Sequence, residues 1–301
     1  MDGLLNKRII IELIIMTFQE KVKKHLCEYK NKKFHYTGNG VWKHNGKETP
    51  LKYAFKAPLK GEKHPDADLN LISSYKDKFL QYEKNLKNKI KRHIYFHHMN
   101  SSQAMCFNFF YPLFAEKKLE LITNFLGYTN ETIDYTSTCF EKESEVEGNE
   151  RRSTNFDFYF KTLSGKKIYL EIKYTENEFG KVQPDEDHKE KYTNIYSHHL
   201  DSVADKYKSQ QKFLENYQIM RNIININKNS YVVFIYPAAN EKIKYQAELA
   251  KREMLLETFK EHLKLVEWEQ LFETARNQIT KPELMSQFEE FGEKYLPKSI
   301  F

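Results

Sequence analysis

The segment STNFDFYFKTLSGKKIYLEIKYTE, Ser153–Glu176, constrains this chain more than any other. In its first half Phe156, Phe158 and Phe160 alternate with Asn155, Asp157 and Tyr159. In its second half Ile168, Leu170 and Ile172 alternate with Tyr169, Glu171 and Lys173. Successive side chains of a β-strand point to opposite faces, so each half reads as a strand with one apolar and one polar face. Between them Leu163-Ser164-Gly165 suits a three-residue hairpin loop, with Gly165 where φ must be positive. That loop sets Phe158 against Leu170 and Phe160 against Ile168, and hence Asp157 against Glu171 and Asn155 against Lys173. A two-residue Ser164-Gly165 turn would slide the pairing by one and put phenylalanines against carboxylates. The hydrophobic pattern selects the longer loop.

Two carboxylates opposed across strands, with Cβ atoms roughly 5 Å apart, repel each other. A cation between them removes that penalty. Mg²⁺, or Mn²⁺ in its place, takes oxygen ligands and keeps several waters, so one or two carboxylates and a substrate phosphate suffice. Lys173 leaves the strand on the same face as Glu171, placed to orient a water or to offset transition-state charge. Asp157, Glu171 and Lys173 are therefore the candidate catalytic residues. A fortuitous Glu–Lys pattern on a solvated sheet face is the plain alternative, and it leaves the opposed acids unexplained.

The surrounding periodicity predicts an α/β core. Ser101 or Ser102 caps a helix whose apolar positions Ala104, Phe107, Phe110, Phe114 and Leu121 recur at helical spacing. It should reach about Leu126, end at Gly127 and be kinked or split at Pro112. Strands follow over Thr138–Glu147, Asn155–Lys161 and Lys166–Tyr174, then a helix over Asp201–Ile224 and a buried strand over Tyr231–Tyr236 (YVVFIY). Helices over Glu241–His262 and Glu269–Asn277 and a last strand over Leu263–Val266 complete the core. Upstream, Phe34–Pro65 is turn-rich, and Ser74–Arg92 is a charged helical stretch with sparse apolar positions.

An aspartate followed across a hairpin by Glu-x-Lys, here Asp157 and Glu171-Ile172-Lys173, resembles the PD-(D/E)XK, or restriction-endonuclease-like, superfamily. Its core is a helix, three strands, a helix and a strand, with catalytic groups on the second and third strands. Residues 101 to 240 follow that order. More narrowly, SSQAMCFNFF, TNFDFYF and EIKYTENEFG are similar to a bacterial restriction-endonuclease-like family. The resemblance implies a mixed central sheet with flanking helices, an N-terminal elaboration over 1–100 and a nuclease domain over 101–301. It implies Mg²⁺-dependent hydrolysis of DNA in restriction or defence. Asp157, Glu171 and the Ile172 backbone carbonyl would hold the metal, and Lys173 would stand near the attacking water. A nucleic-acid-binding protein that keeps the fold without cleavage is the alternative. Phe156 stands where the family commonly has proline. Relatives often add an acid from the first helix or strand; the candidates here are Glu116, Glu145 and Glu147, with neutral Gln103 a further helper. Gln218 and Arg221, at i, i+3 on the second core helix, could reach the substrate.

Composition agrees with a folded protein: 301 residues, 40% hydrophobic and 30% charged. The net charge of +6 permits an anionic partner without demanding one. The basic run KNLKNKIKR, Lys84–Arg92, is either a phosphate-binding face or a solvated helix. Cys27, Cys106 and Cys139 form no CxxC and read as free thiols of a reducing cytoplasm. The apolar run before Met16, broken by Glu12, is too short for a membrane span and is expected to be dispensable for folding. His93 and His97 have zinc spacing, but no HExxH or cysteine pair accompanies them. Cutting both strands of a duplex would need two sites, so a homodimer is a candidate assembly.

Overall fold

The computed structural model describes residues 16–35, 38–44, 46–56, 65–148 and 153–301; the run expected to be dispensable lies outside them. Helix α1 (Phe18–Phe34) starts at a capping box, Thr17 and Glu20 each satisfying the other's backbone N–H. A small hairpin, β1 (Gly40–His44) and β2 (Lys47–Leu51), precedes helices α2 (Pro65–Asp68), α3 (Ser73–Asn85), α4 (Ser102–Ala115) and α5 (Glu120–Phe125). Three strands follow: β3 (Ile133–Glu143), β4 (Asn155–Thr162) and β5 (Lys167–Ile172). Helices α6 (Glu186–Asn194), α7 (Gln210–Glu215) and α8 (Tyr217–Ile223) lead to β6 (Ser230–Tyr236), α9 (Glu241–Leu249), β7 (Leu263–Glu267), α10 (Trp268–Arg276) and α11 (Pro282–Tyr295).

The strands form one mixed sheet in the order β3-β4-β5-β6-β7, antiparallel from β3 to β5 and parallel from β5 to β7. The hairpin has the expected register: Phe158 pairs with Leu170 and Phe160 with Ile168. Gly165 takes φ +96°, and its N–H closes the loop on the Thr162 carbonyl. Each sheet face carries its own cluster. Phe158, Phe160, Ile168, Leu170, Val233 and Ile235 pack with α4 and with residues of α1, α3, α10 and α11. Tyr159, Tyr169, Val232, Phe234 and Tyr236 pack with residues of α7, α8 and α9. The segment before residue 101 thus contributes Val22, Leu26 and Phe79 to the same core as the sheet.

Several elements differ from expectation, for identifiable reasons. Pro112 does not split α4, which continues to Ala115. The Asn108 carbonyl, left without its usual helical donor by the proline, accepts Gln287 Nε2 at 2.8 Å instead. The helix predicted over Asp201–Ile224 starts at Gln210 and is interrupted at Asn216, and the one over Glu241–His262 breaks near Leu255. One contact accounts for the missing turns: Val203 bridges Leu255, Ala204 N–H bonds Met254 O, and Leu256 N–H bonds Ser202 O. Backbone groups committed across that bridge are not available to a helical ladder. The first core strand runs over Ile133–Glu143 rather than Thr138–Glu147, and the basic run leaves the helix after Asn85 as coil.

Candidate active site

The candidate residues gather where the β4–β5 ladder opens. Its last paired residues are Phe158 and Leu170; beyond them Asp157 Oδ2 accepts the Ile172 N–H at 2.6 Å. The carboxylate thus takes a backbone donor that faces the neighbouring strand. Strand alternation breaks at the same point. Phe156, expected beside Phe158, lies instead with Tyr159 and Tyr169 in the opposite cluster, its ring 4.8 Å from Tyr169. On β3, Phe140 and Lys142 pair with Phe158 and Phe156, and the intervening Glu141 has φ +53°. A non-glycine residue in that region is uncommon, and here it re-aims a side chain beside the acids.

Three carboxylates therefore meet on adjacent strands. Burial, then the charges of Glu171 and Glu141, push the Asp157 carboxyl well above the usual carboxylate range. Burial also raises Glu141, although a 2.7 Å hydrogen bond from Gln103 Nε2 works against it. Glu171 and Lys173 lie deeper, 4% and 6% exposed. Lys173 Nζ is 2.9 Å from Glu171 Oε1, and Gln218 ties the pair together, donating to Glu171 at 2.9 Å and accepting from Lys173 at 3.3 Å. Burial, the largest single influence, would lower the Lys173 ammonium, but Glu171, Glu176 and Asp157 together outweigh it and the pKa is raised, so the group is charged at neutral pH. Asp157, Glu141 and Glu171, with Glu176 nearby, outnumber the Lys173 ammonium, a donor set that suits a hard cation. Among the described residues, no group of three or more His, Cys, Asp or Glu side chains stands ready to hold a metal ion. Each acid is turned to an internal donor, and Mg²⁺ needs only one or two carboxylates.

The other expected helpers divide. Gln103 and Gln218 reach the acids, as described. Glu145, exposed, pairs with Lys167 at 2.5 Å, and Glu116 with Lys281 at 2.6 Å. Glu147 is buried elsewhere, receiving Arg221 on both oxygens at 2.8 and 3.1 Å, with Tyr196 and the Thr154 N–H as further donors. Arg221 is thereby turned away from Gln218's site. Burial would raise Glu147, but Arg221 and its other donors hold it below the usual range. Arg221→Met should leave that carboxylate short of charge and cost about 3 kcal/mol, read as a denaturation midpoint shift with unchanged slope. A shift within error would show that Lys191, 3.8 Å from Glu147, suffices. Glu141 is not among the helper acids expected from the sequence; there it is one glutamate of the stretch EKESEVEGNE, 141–150, and its conformation breaks the strand period.

A cleft of about 630 Å³ opens over Asp157, Glu141 and Asn155, with Ser101 and Ser102 at the N-terminus of α4. Its opposite wall is the coil Lys91–Tyr95. The three cysteines are free thiols, and no helix of the described residues is long and apolar enough to cross a membrane.

A family model described as Restriction Endonuclease associating with ARP matches residues 23–296. No curated protein and no solved structure matches the chain.

Proposed function

We propose a function that starts from one premise: this chain belongs to the family described as Restriction Endonuclease associating with ARP. The reading is metal-dependent hydrolysis of a DNA phosphodiester bond. The observation that carries it is the meeting of Asp157, Glu171 and Lys173 at the open end of a hairpin, with Asp157 lining a cleft.

Asp157 and Glu171, with the Ile172 carbonyl, would hold Mg²⁺ or Mn²⁺, and Glu141 is a further acid within electrostatic reach of both. Such a bound cation supplies Lewis-acid polarisation of the phosphate and a more acidic attacking water. Lys173 contributes the positive charge that offsets the growing negative charge on the phosphate. Its ammonium faces Glu171 and Gln218 in this structure, so reaching the substrate requires Glu171 to exchange that partner. Gln218, bonded to both, holds the pair ready for the exchange. Gln103 does the same for Glu141, linking it to the cleft's opposite wall through His93 N–H and Lys91 O.

The test is plasmid DNA with Mg²⁺ or Mn²⁺. Wild type should nick or linearise it, and Glu171→Gln should not. Cleavage by Glu171→Gln at the wild-type rate refutes the assignment. Salt-sensitive DNA binding without cleavage, under every divalent metal tried, supports a binding protein that keeps the nuclease fold.

A further inference from the structure

The wall opposite the acids is coil, yet it is firmly held. Arg92 pairs with Asp68 and Glu83, each at 2.5 Å, and lies over the Phe96 ring at 4.7 Å. The His93 N–H donates to Gln103 Oε1 at 2.8 Å, and the Phe96 N–H closes a turn on the His93 carbonyl at 2.9 Å. Arg92 is therefore committed to the fold. What the turn presents is different: Lys91 is exposed, Ile94 is 70% exposed, and Tyr95 stacks on His98 with ring centroids 4.8 Å apart. All three line the cleft with Asp157.

Building on the nuclease reading, we infer that Lys91–Tyr95 grips a single unpaired nucleic-acid strand, Lys91 taking a phosphate and Ile94 with Tyr95 the face of an unstacked base. The cleft volume is of the class that encloses one small molecule, so one or two nucleotides of an opened strand fit within it. An aromatic ring beside an exposed aliphatic side chain matches the apolar face common to all bases. A closed duplex hides those faces; an apolar wedge meets them only where the stack is opened. The wall is fixed before binding, so little ordering is needed when a strand enters.

The test uses the full chain with EDTA present, so that nothing is cut, and one labelled oligodeoxynucleotide in three forms: single strand, closed duplex, and duplex with an unpaired central bubble. Single strand and bubble should bind at least ~10-fold tighter than closed duplex. Ile94→Ser should weaken both by about 5- to 100-fold and leave duplex binding unchanged. Lys91→Gln should weaken all three forms and lower the salt slope by about one ion. Ile94 is exposed, so its replacement spares the fold, which a melting curve checks. Equal affinity for closed duplex and single strand, or an Ile94→Ser protein that binds like wild type, overturns the inference and leaves the nuclease reading standing. Failure to bind any of the three forms also overturns the inference, whereas the nuclease reading falls only if plasmid DNA stays intact with Mg²⁺ and Mn²⁺ present.

Discussion

With divalent cations chelated, Asp157→Asn should melt roughly 2–6 °C above the wild type while cleaving nothing when metal is restored. Asparagine keeps an oxygen for the Ile172 N–H and removes the charge that Glu171 and Glu141 oppose. The sign follows from linkage. A carboxyl whose pKa is raised by folding stabilises the protein below its unfolded pKa and loses that contribution as pH rises through the folded value. As pH climbs above the unfolded value the wild type progressively loses it, and the neutral amide, which has no proton to give up, does not. Added Mg²⁺ should reverse the order, stabilising the wild type by mass action and leaving the variant unchanged. Lys173→Ala separates binding from turnover: both acids remain, so Mg²⁺ should still titrate calorimetrically, while cleavage falls by about 10²–10³. Should Asp157→Asn melt below wild type in EDTA, the three acids do not oppose one another. Should it cleave normally, the hairpin is not the active site.

A second large effect lies away from the site. Lys294 is 1% exposed and donates to the Asn70 carbonyl at 2.6 Å and to Asn70 Oδ1 at 2.8 Å. Asn108 joins the same network, bonding both the Asn70 carbonyl and the Tyr295 hydroxyl, so α11 is tied to the turn after α2 and to α4. Burial pushes the Lys294 ammonium down to about 7, against a smaller opposing pull from Glu290. A lysine depressed on folding stabilises the protein above its unfolded pKa and loses that contribution as pH falls through the folded value. Wild-type stability should therefore rise by about 3 kcal/mol between pH 7 and pH 10 relative to Lys294→Met, from denaturation curves at each pH. The comparison is of slopes, because methionine also leaves Asn70 short of donors. Parallel profiles would mean that Lys294 is charged in the folded protein.

The hairpin was legible because two short-range rules agree on one register: period-two alternation and the positive φ that Gly165 supplies. Glu141 was not, because its φ of +53° interrupts the alternation by which a strand's faces are read. Glu145 and Glu147, nearer the hairpin in sequence, are drawn off to Lys167 and Arg221 by contacts that no local pattern announces. The two overlong predicted helices share that cause, a bridge between Val203 and Leu255. Helix α11 is another matter. Leu284, Phe288, Phe291 and Tyr295 recur at helical spacing behind Pro282, so its signal was present and went unread.

The chain has two tryptophans, and their settings differ: Trp42 is 40% exposed, whereas Trp268 is fully buried. The Trp268 indole donates to the Lys173 carbonyl at 3.2 Å, attaching a natural fluorophore to the residue whose ammonium pairs with Glu171. Water-borne quenchers would silence Trp42 and leave a blue emission from Trp268. That residual light reports on the end of β5 directly, in unlabelled protein, so a cation or a nucleic-acid strand arriving at the acids could be followed optically in real time.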